Sequence, residues 1–346
     1  MSTSNEIYVE LRKRLEERQY IPGSRFPSEI TLAGEFGVCK VTINKIVSKL
    51  VEQGYIMRGI RGAGTRVSES WHYGRGEIAF ISKLSSYPVE VLRGLQQECL
   101  HSGYAPVVFS PNSEELPQCL RTLQRKEVVG LVSIGYGPIK LNKDVPCVCV
   151  DYTLAGREDS PGVEIIGSDD YGGGRKMMEE IIRRGHRNIA LFSSERFVFC
   201  STAPVSQRIC GFHSALAANG LANIIARTFY AMPNSLGDAE QCVKTILKKY
   251  PETTIVCTDS DPSAELFSYA AAQLGVDCPG KIALTGFGHV THMKIATVNQ
   301  HPERQGRLAA LYIRSCLEKD MTPLDAERFV ETSLDGIEYI PICGNS

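Results

Sequence analysis

The 346-residue chain lacks most of the features that mark specialised protein classes. No apolar run approaches the roughly 20 residues needed to span a bilayer, so no membrane partner is expected. The opening Met1-Ser2-Thr3-Ser4-Asn5-Glu6 is polar and charged and does not resemble an export leader. A cytoplasmic location is therefore expected. The 12 cysteines include no Cys-x-x-Cys pair and mostly sit in apolar stretches such as Cys147-Val148-Cys149. They read as buried reduced thiols, not as a disulfide framework or a zinc site. No HExxH, GxSxG or Walker loop occurs. The run Gly172-Gly173-Gly174 is not a GxGxxG after a strand and reads as a permissive entry into a helix. The seven histidines lack metal-ligand spacing, His289-x-x-His292 with His301 being the nearest approach. No catalytic constellation, cofactor or metal is expected.

What is present is unevenly distributed. A length of 346 residues suggests two or three domains with ample core, and the hydrophobic share of 43% and charged share of 22% are ordinary for a globular chain. The net charge of -1 hides a contrast. Residues 1–70 hold 11 Lys and Arg against 8 Asp and Glu, while the remainder holds 27 against 31. A basic head favours a polyanionic partner, although a surplus of this size is a minor clue.

The head has its own punctuation. Thr3-x-x-Glu6 forms a capping box before a helix with Ile7, Leu11 and Leu15 on one face. Ser28 caps a second helix, expected to bury Ile30, Leu32, Ala33 and Phe36 and to end at Gly37. A third helix over about 39–53 puts Ile43, Ile46, Val47 and Leu50 inward and leaves Lys40, Asn44, Lys45 and Ser48 outward. Two short strands, Tyr55 to Arg58 and Thr65 to Val67, flank a glycine turn. Three helices and a hairpin make a winged helix whose third helix can enter the major groove. The segment from Ser68 to Gly76, with the only tryptophan at Trp71, reads as a hinge.

These residues carry a resemblance. Pro22-Gly23, Phe26-Pro27-Ser28-Glu29, Leu32-Ala33, Val38, Thr42-Ile43 and Gly62-x-Gly64-Thr65 stand in the register of the GntR-type winged helix. The resemblance implies DNA contacts by Lys40, Thr42, Asn44 and Lys45 on the third helix, and by Arg61 and Gly62 on the wing. Lysine at 40 and asparagine at 44 replace the family's usual arginines, which removes a guanine-matching fork and suits adenine instead. Cys39 replaces the usual serine and weakens the helix cap.

After residue 77 apolar strands alternate with helical periodicity, the pattern of parallel sheets covered by helices. Ten or more strands exceed one compact sheet, so two lobes are expected, with a cleft at the carboxyl ends of their strands. Asp169-Asp170-Tyr171-Gly172-Gly173, Gly185-His186-Arg187-Asn188-Ile189-Ala190, Arg208-Ile209-Cys210-Gly211-Phe212, Ser260-Asp261-Pro262-Ser263-Ala264 and Thr297-Val298-Asn299-Gln300 resemble segments of the LacI/GalR-type effector domain, which is related to periplasmic sugar-binding proteins. The resemblance implies that Arg208 presents a guanidinium to hydroxyls or a carboxylate. It also implies that Asp170 and Asp261 accept from hydroxyls, and that Ser260 and Gln300 line the same cleft. Tyr87, Tyr136 and Asp151 end or follow strands of the first lobe and are expected to wall it.

The expected architecture is thus α/β: a winged helix-turn-helix over 1–67, a linker over 68–76, and a two-lobed periplasmic-binding-protein-like domain over 77–346. Lobe one is expected over about 77–152 plus 287–320, and lobe two over about 153–286 plus the C-terminal segment. The expected function is a ligand-responsive transcriptional regulator, a repressor of carbohydrate-use genes whose affinity for double-stranded operator DNA changes when a sugar binds between the lobes, acting as a homodimer. The alternative is a cytosolic sugar-binding module or a sugar-modifying enzyme without DNA regulation.

Overall fold

The computed structural model describes residues 3–17, 19–59, 64–68, 75–152, 161–194, 203–318 and 328–343. Two compact units emerge, Met1–Ile78 with Cys99–Ala105, and Ala79–Glu98 with Pro106–Ser346.

The head contains helices α1 (Ser4–Glu16), α2 (Glu29–Phe36) and α3 (Lys40–Glu52), then strands β1 (Ile56–Arg58) and β2 (Thr65–Val67), which pair antiparallel with Ile56 opposite Val67. The capping box is formed: Glu6 N donates to Thr3 Oγ1 at 3.3 Å, and Thr3 N to Glu6 Oε2 at 2.8 Å. Ser28 accepts from Thr31 N, and Gly37 ends α2 in the left-handed region. Ile7, Leu11, Leu15, Leu32, Ile43, Val47, Leu50 and Val67 share one core. Ile30 was expected inside but is 71% exposed. Helix α2 has only eight residues, and Leu32 alone occupies its fully buried stripe. The linker residues 69–74, with Trp71, lie outside the described residues.

The larger unit is built on two sheets. The first contains β3 (Glu77–Ser82), β4 (Ala105–Phe109), β5 (Gly130–Ile134), β6 (Cys147–Val150), β7 (Val163–Ser168) and β13 (Phe329–Val330), in the order β13-β7-β6-β5-β3-β4. The second contains β8 (Ile189–Ser193), β9 (Thr228–Tyr230), β10 (Ile255–Thr258), β11 (Ala283–Phe287), β12 (Ala296–Asn299) and β14 (Ser333–Asp335), in the order β14-β12-β11-β10-β8-β9. Strands β5 to β7 pair parallel, as do β8 to β12 through the sheet, whereas β14 runs antiparallel to β12. The helices are α4 (Ser86–Ser102), α5 (Leu116–Lys126), α6 (Asp170–Arg183), α7 (Pro204–Ala218), α8 (Leu236–Lys249), α9 (Asp261–Gln273) and α10 (Pro302–Leu317).

Both faces of these strands are covered, which explains their continuous apolar runs. In β8, Ile189 and Leu191 enter one core while Ala190 and Phe192 enter another on the opposite face. A further core, with Ala79, Ile81, Leu123, Leu131 and Ile165, serves the first sheet.

The chain passes between the sheets three times: at Ser168–Asp170, at Gln300–Pro302 and between β13 and β14. This corrects the expected lobe boundaries. Strand β7 pairs with β6 and belongs to lobe one, so the first passage follows Ser168 instead of residue 152. Strand β12 pairs with β11 and belongs to lobe two, so the return falls at Gln300 instead of near 287. Strand order depends on long-range pairing that a linear pattern does not carry. Among the described residues no helix is long and apolar enough to cross a membrane.

Candidate effector cleft and nucleic-acid interface

Two tight helix contacts build the cleft. Gly174 in α6 packs where a Cβ would lie 2.3 Å from the Arg208 carbonyl oxygen, and Gly211 in α7 where a Cβ would lie 2.2 Å from that of Tyr171. Only glycine permits this approach. It sets the first turn of α6, with Asp170, beside Arg208. Arg208 is 5% exposed. Its Nε donates to Asp170 Oδ1 at 2.8 Å, its Nη1 to the Asp259 carbonyl at 3.1 Å, and its Nη2 lies 3.7 Å from Asp151 Oδ1. The guanidinium carbon stands 4.3 Å from the centroid of the Phe287 ring, a cation–π contact.

Gln300 completes the cluster from the second passage. Its Nε2 donates one hydrogen to Ser168 Oγ at 2.8 Å and shares the other between Asp170 Oδ1 at 3.2 Å and Asp151 Oδ1 at 3.3 Å. Asp151 adopts a left-handed backbone with φ of 56°, which aspartate tolerates better than most residues. Burial pushes the Asp170 carboxyl up to about 7, against the opposing pull of Arg208. Burial also works against the charge of Arg208, but Asp170 and Asp151 more than restore it, and its pKa lies above the ordinary value. Burial likewise raises Asp259, opposed by the Ser193 hydroxyl that donates to it.

This cluster closes the base of a cleft of about 470 Å³ lined by strand ends of both lobes, a volume suited to a small ligand. Ser82, Ile134, Asp151, Ser194, Ser260 and Phe287 reach it from the carboxyl ends of β3, β5, β6, β8, β10 and β11, where ligands of parallel sheets bind. Of the residues singled out from sequence, Tyr87, Asp151, Arg208, Ser260 and Gln300 line the cleft, and Asp170 supports Arg208 from behind. Ser260 also caps α9 by accepting from Ser263 N.

Two expected residues do other work. Asp261 is fully buried: Oδ2 accepts from Val290 N at 2.6 Å and Thr291 N at 3.2 Å, and Oδ1 from Thr297 Oγ1 at 2.7 Å. Its carboxylate holds the loop after β11 and is not among the residues that line the cleft. Tyr136 donates to the Pro111 carbonyl and packs against the first-lobe core, away from the cleft. Sequence reasoning missed Ser82, Lys83, Ser194 and Phe287. Their signal was positional, since each ends or follows an apolar strand run.

In the head, Lys40, Asn44 and Lys45 are exposed on α3, and Thr42 is half-buried. Asn44 Nδ2 donates to Glu29 Oε1 at 2.8 Å, so a two-bond pairing with adenine requires that contact to open. Arg58 of β1 donates to Ser48 Oγ at 2.9 Å and lies 3.8 Å from Glu29. Glu29 thus ties α2 and the wing strand to the outer face of α3. Cys39 makes no side-chain cap to α3, although its Sγ lies 3.2 Å from Thr42 Oγ1. Arg61 and Gly62 lie outside the described residues.

Residues 3–67 match the model of the bacterial regulatory proteins of the gntR family, and residues 178–335 that of the periplasmic binding protein-like domain. An arabinose metabolism transcriptional repressor of Halalkalibacterium halodurans is 24% identical, the match covering 93% of this chain and 91% of the relative. A putative ribose operon repressor from Burkholderia thailandensis superposes with a TM-score of 0.61 at 20% identity, over 75% of this chain and 98% of that one. A LacI family transcriptional regulator from Enterococcus faecium with bound ribose gives 0.61 at 17% identity, over 75% and 96%. The fold and these matches place the chain among DNA-binding transcriptional regulators, not enzymes. Within that class it is a regulator with a gntR-family head and a periplasmic-binding-protein-like domain.

Proposed function

We propose that the protein represses carbohydrate-use genes and that a sugar bound in the cleft changes its affinity for operator DNA. The carrying observation is the buried Arg208, held by Asp170 and Asp151 at the base of a cleft to which both lobes contribute. A polyol needs donors and acceptors side by side, and leaving such buried groups unmatched costs about 1–3 kcal/mol each. The names of the arabinose and ribose repressors support the same reading.

In this proposal residues 1–67 contact DNA through Lys40, Thr42, Asn44, Lys45, Arg61 and Gly62, and residues 68–76 link head to body. Two copies bind a two-fold operator, where head spacing sets affinity. The sugar acts by its differential affinity for two lobe arrangements. Fluorescence anisotropy with DNA from upstream of the protein's own gene tests this, with and without L-arabinose, D-ribose, D-xylose and D-glucose. The expected result is binding that at least one sugar shifts. Absence of DNA binding at low salt, or binding that no sugar alters, defeats it.

A further inference from the structure

Gln305 is fully buried near the start of α10. Its Nε2 lies 2.8 Å from the Tyr87 hydroxyl oxygen and 2.8 Å from the Gln300 backbone carbonyl. A carbonyl oxygen only accepts, so the amide atom facing it is the nitrogen, and the orientation of the side chain follows. An amide nitrogen has two hydrogens, and these two acceptors use both. The Tyr87 oxygen is therefore an acceptor toward Gln305, and its own proton must point elsewhere.

That proton finds no acceptor among the described residues. Gln305 Oε1 is buried without a hydrogen-bond partner, so the phenol does not donate back to the amide. Tyr87 lines the cleft beside Asp151, Arg208 and Gln300. Burial, reinforced by Asp151 and Asp170, holds the phenol well above its ordinary range and keeps the proton in place.

We infer that Gln305 is a positioning residue that orients the Tyr87 hydroxyl as a hydrogen-bond donor into the cleft, so that the bound effector places an oxygen acceptor there. This rests on the reading of the cleft as a sugar site. Gln305 touches no ligand itself. It sets the polarity of a group that does, and through the Gln300 carbonyl it fixes the residue that ties Asp151 to Asp170. Asp151 supplies an acceptor, so a sugar meets a donor at Tyr87 and an acceptor at Asp151.

Titration calorimetry on the full-length protein tests the assignment, using L-arabinose, D-ribose, D-xylose and D-glucose as probes. One of the four is expected to bind the wild type. Tyr87→Phe, which keeps the ring, is expected to weaken that sugar about tenfold. Gln305→Glu turns the neighbour into an acceptor, draws the phenol proton away from the cleft and is expected to match that loss. The double variant is then no weaker than Tyr87→Phe alone, because without the hydroxyl there is no polarity to set. Gln305→Met, which frees the hydroxyl to rotate, is expected to lose less than Gln305→Glu and serves where a buried glutamate prevents folding. Undiminished affinity in Tyr87→Phe overturns the inference, as does a double variant whose loss is the product of the two single losses. If none of the four sugars binds the wild type, the sugar reading of the cleft falls and takes this inference with it.

Discussion

Gly94 on α4 and Gly306 on α10 each face the backbone of the opposite helix. A Cβ on Gly94 would lie 1.8 Å from the Glu303 carbonyl oxygen, and one on Gly306 would lie 1.8 Å from that of Val91. The two helices thus cross backbone on backbone. That closeness lets Gln305, one residue before Gly306, reach Tyr87 at the start of α4. Gly306→Ala must force the helices apart, and overpacking of this kind costs about 1–3 kcal/mol. Thermal melting should show a fall of several degrees, with a loss of sugar affinity alongside. An alanine variant that melts with the wild type would show that the crossing is looser than it stands here.

Arg208→Met removes the counter-charge shared by Asp170 and Asp151. Breaking a buried pair by deleting one partner costs about 3–5 kcal/mol, and Asp170 can escape part of this by staying protonated. Asp170 titrates at about 7 beside Arg208, and without the guanidinium its folded pKa rises further, so the variant goes on losing stability above pH 7 where the wild type no longer does. The variant should therefore lie closer to the wild type at pH 5.5 than at pH 8. It should lose the sugar response while still binding the operator. A response that survives the substitution removes Arg208 from the site.

Lys40→Ala should do the reverse. Its ammonium is exposed at the start of α3. An ammonium brought against the duplex releases about one counterion, so the slope of log affinity against log salt should shrink by about 1. Sugar binding should stay as in the wild type. Operator affinity and salt slope both unchanged would falsify Lys40 as a DNA contact.

His186 gives the second pH dependence. Its ring bonds Thr254 Oγ1 at 2.8 Å and the Pro341 carbonyl at 2.9 Å, docking the C-terminal segment on lobe two. Burial holds its pKa below the ordinary imidazole range near 6.5. A base depressed in the folded state contributes stability above its unfolded pKa and loses it as pH falls toward the folded value. Relative to His186→Asn, the wild type should therefore lose melting temperature more steeply, or gain it less, between pH 7.5 and 5.5. Equal slopes in the two proteins would assign the effect to other groups.

Much of the fold can be read along the chain because its signals are local. The capping box at Thr3, the Ser28 cap, the glycine at 37 and the short strands of the wing all state their conformation within a few residues. The strand at Val163–Ser168 does not, because nothing nearby says which sheet it joins. The cleft divides in the same way. Arg208 and Gln300 sit in segments whose resemblance points to them. Asp261 sits in such a segment too, yet its carboxylate is consumed by a loop about thirty residues away that linear reading leaves out. Gln305, between Arg304 and Gly306, reads as one more polar residue on a helix, and only the crossing with α4 reveals that it is inside.

The three passages between the lobes are themselves bonded to one another. Gln300 holds Ser168, Asp169 N donates to the Val330 carbonyl at 3.1 Å, and Lys176 donates to the Thr332 carbonyl at 3.2 Å. Three cables clamped together at one level can flex about a common axis but cannot slide past each other. The cross-bonds oppose sliding of one lobe over the other and leave rotation about that axis as the motion that strains them least. Because the Asp170–Arg208 pair and Gln300 lie along the spine, a ligand touching them would act where a small rotation produces the largest displacement at the far edges of the lobes.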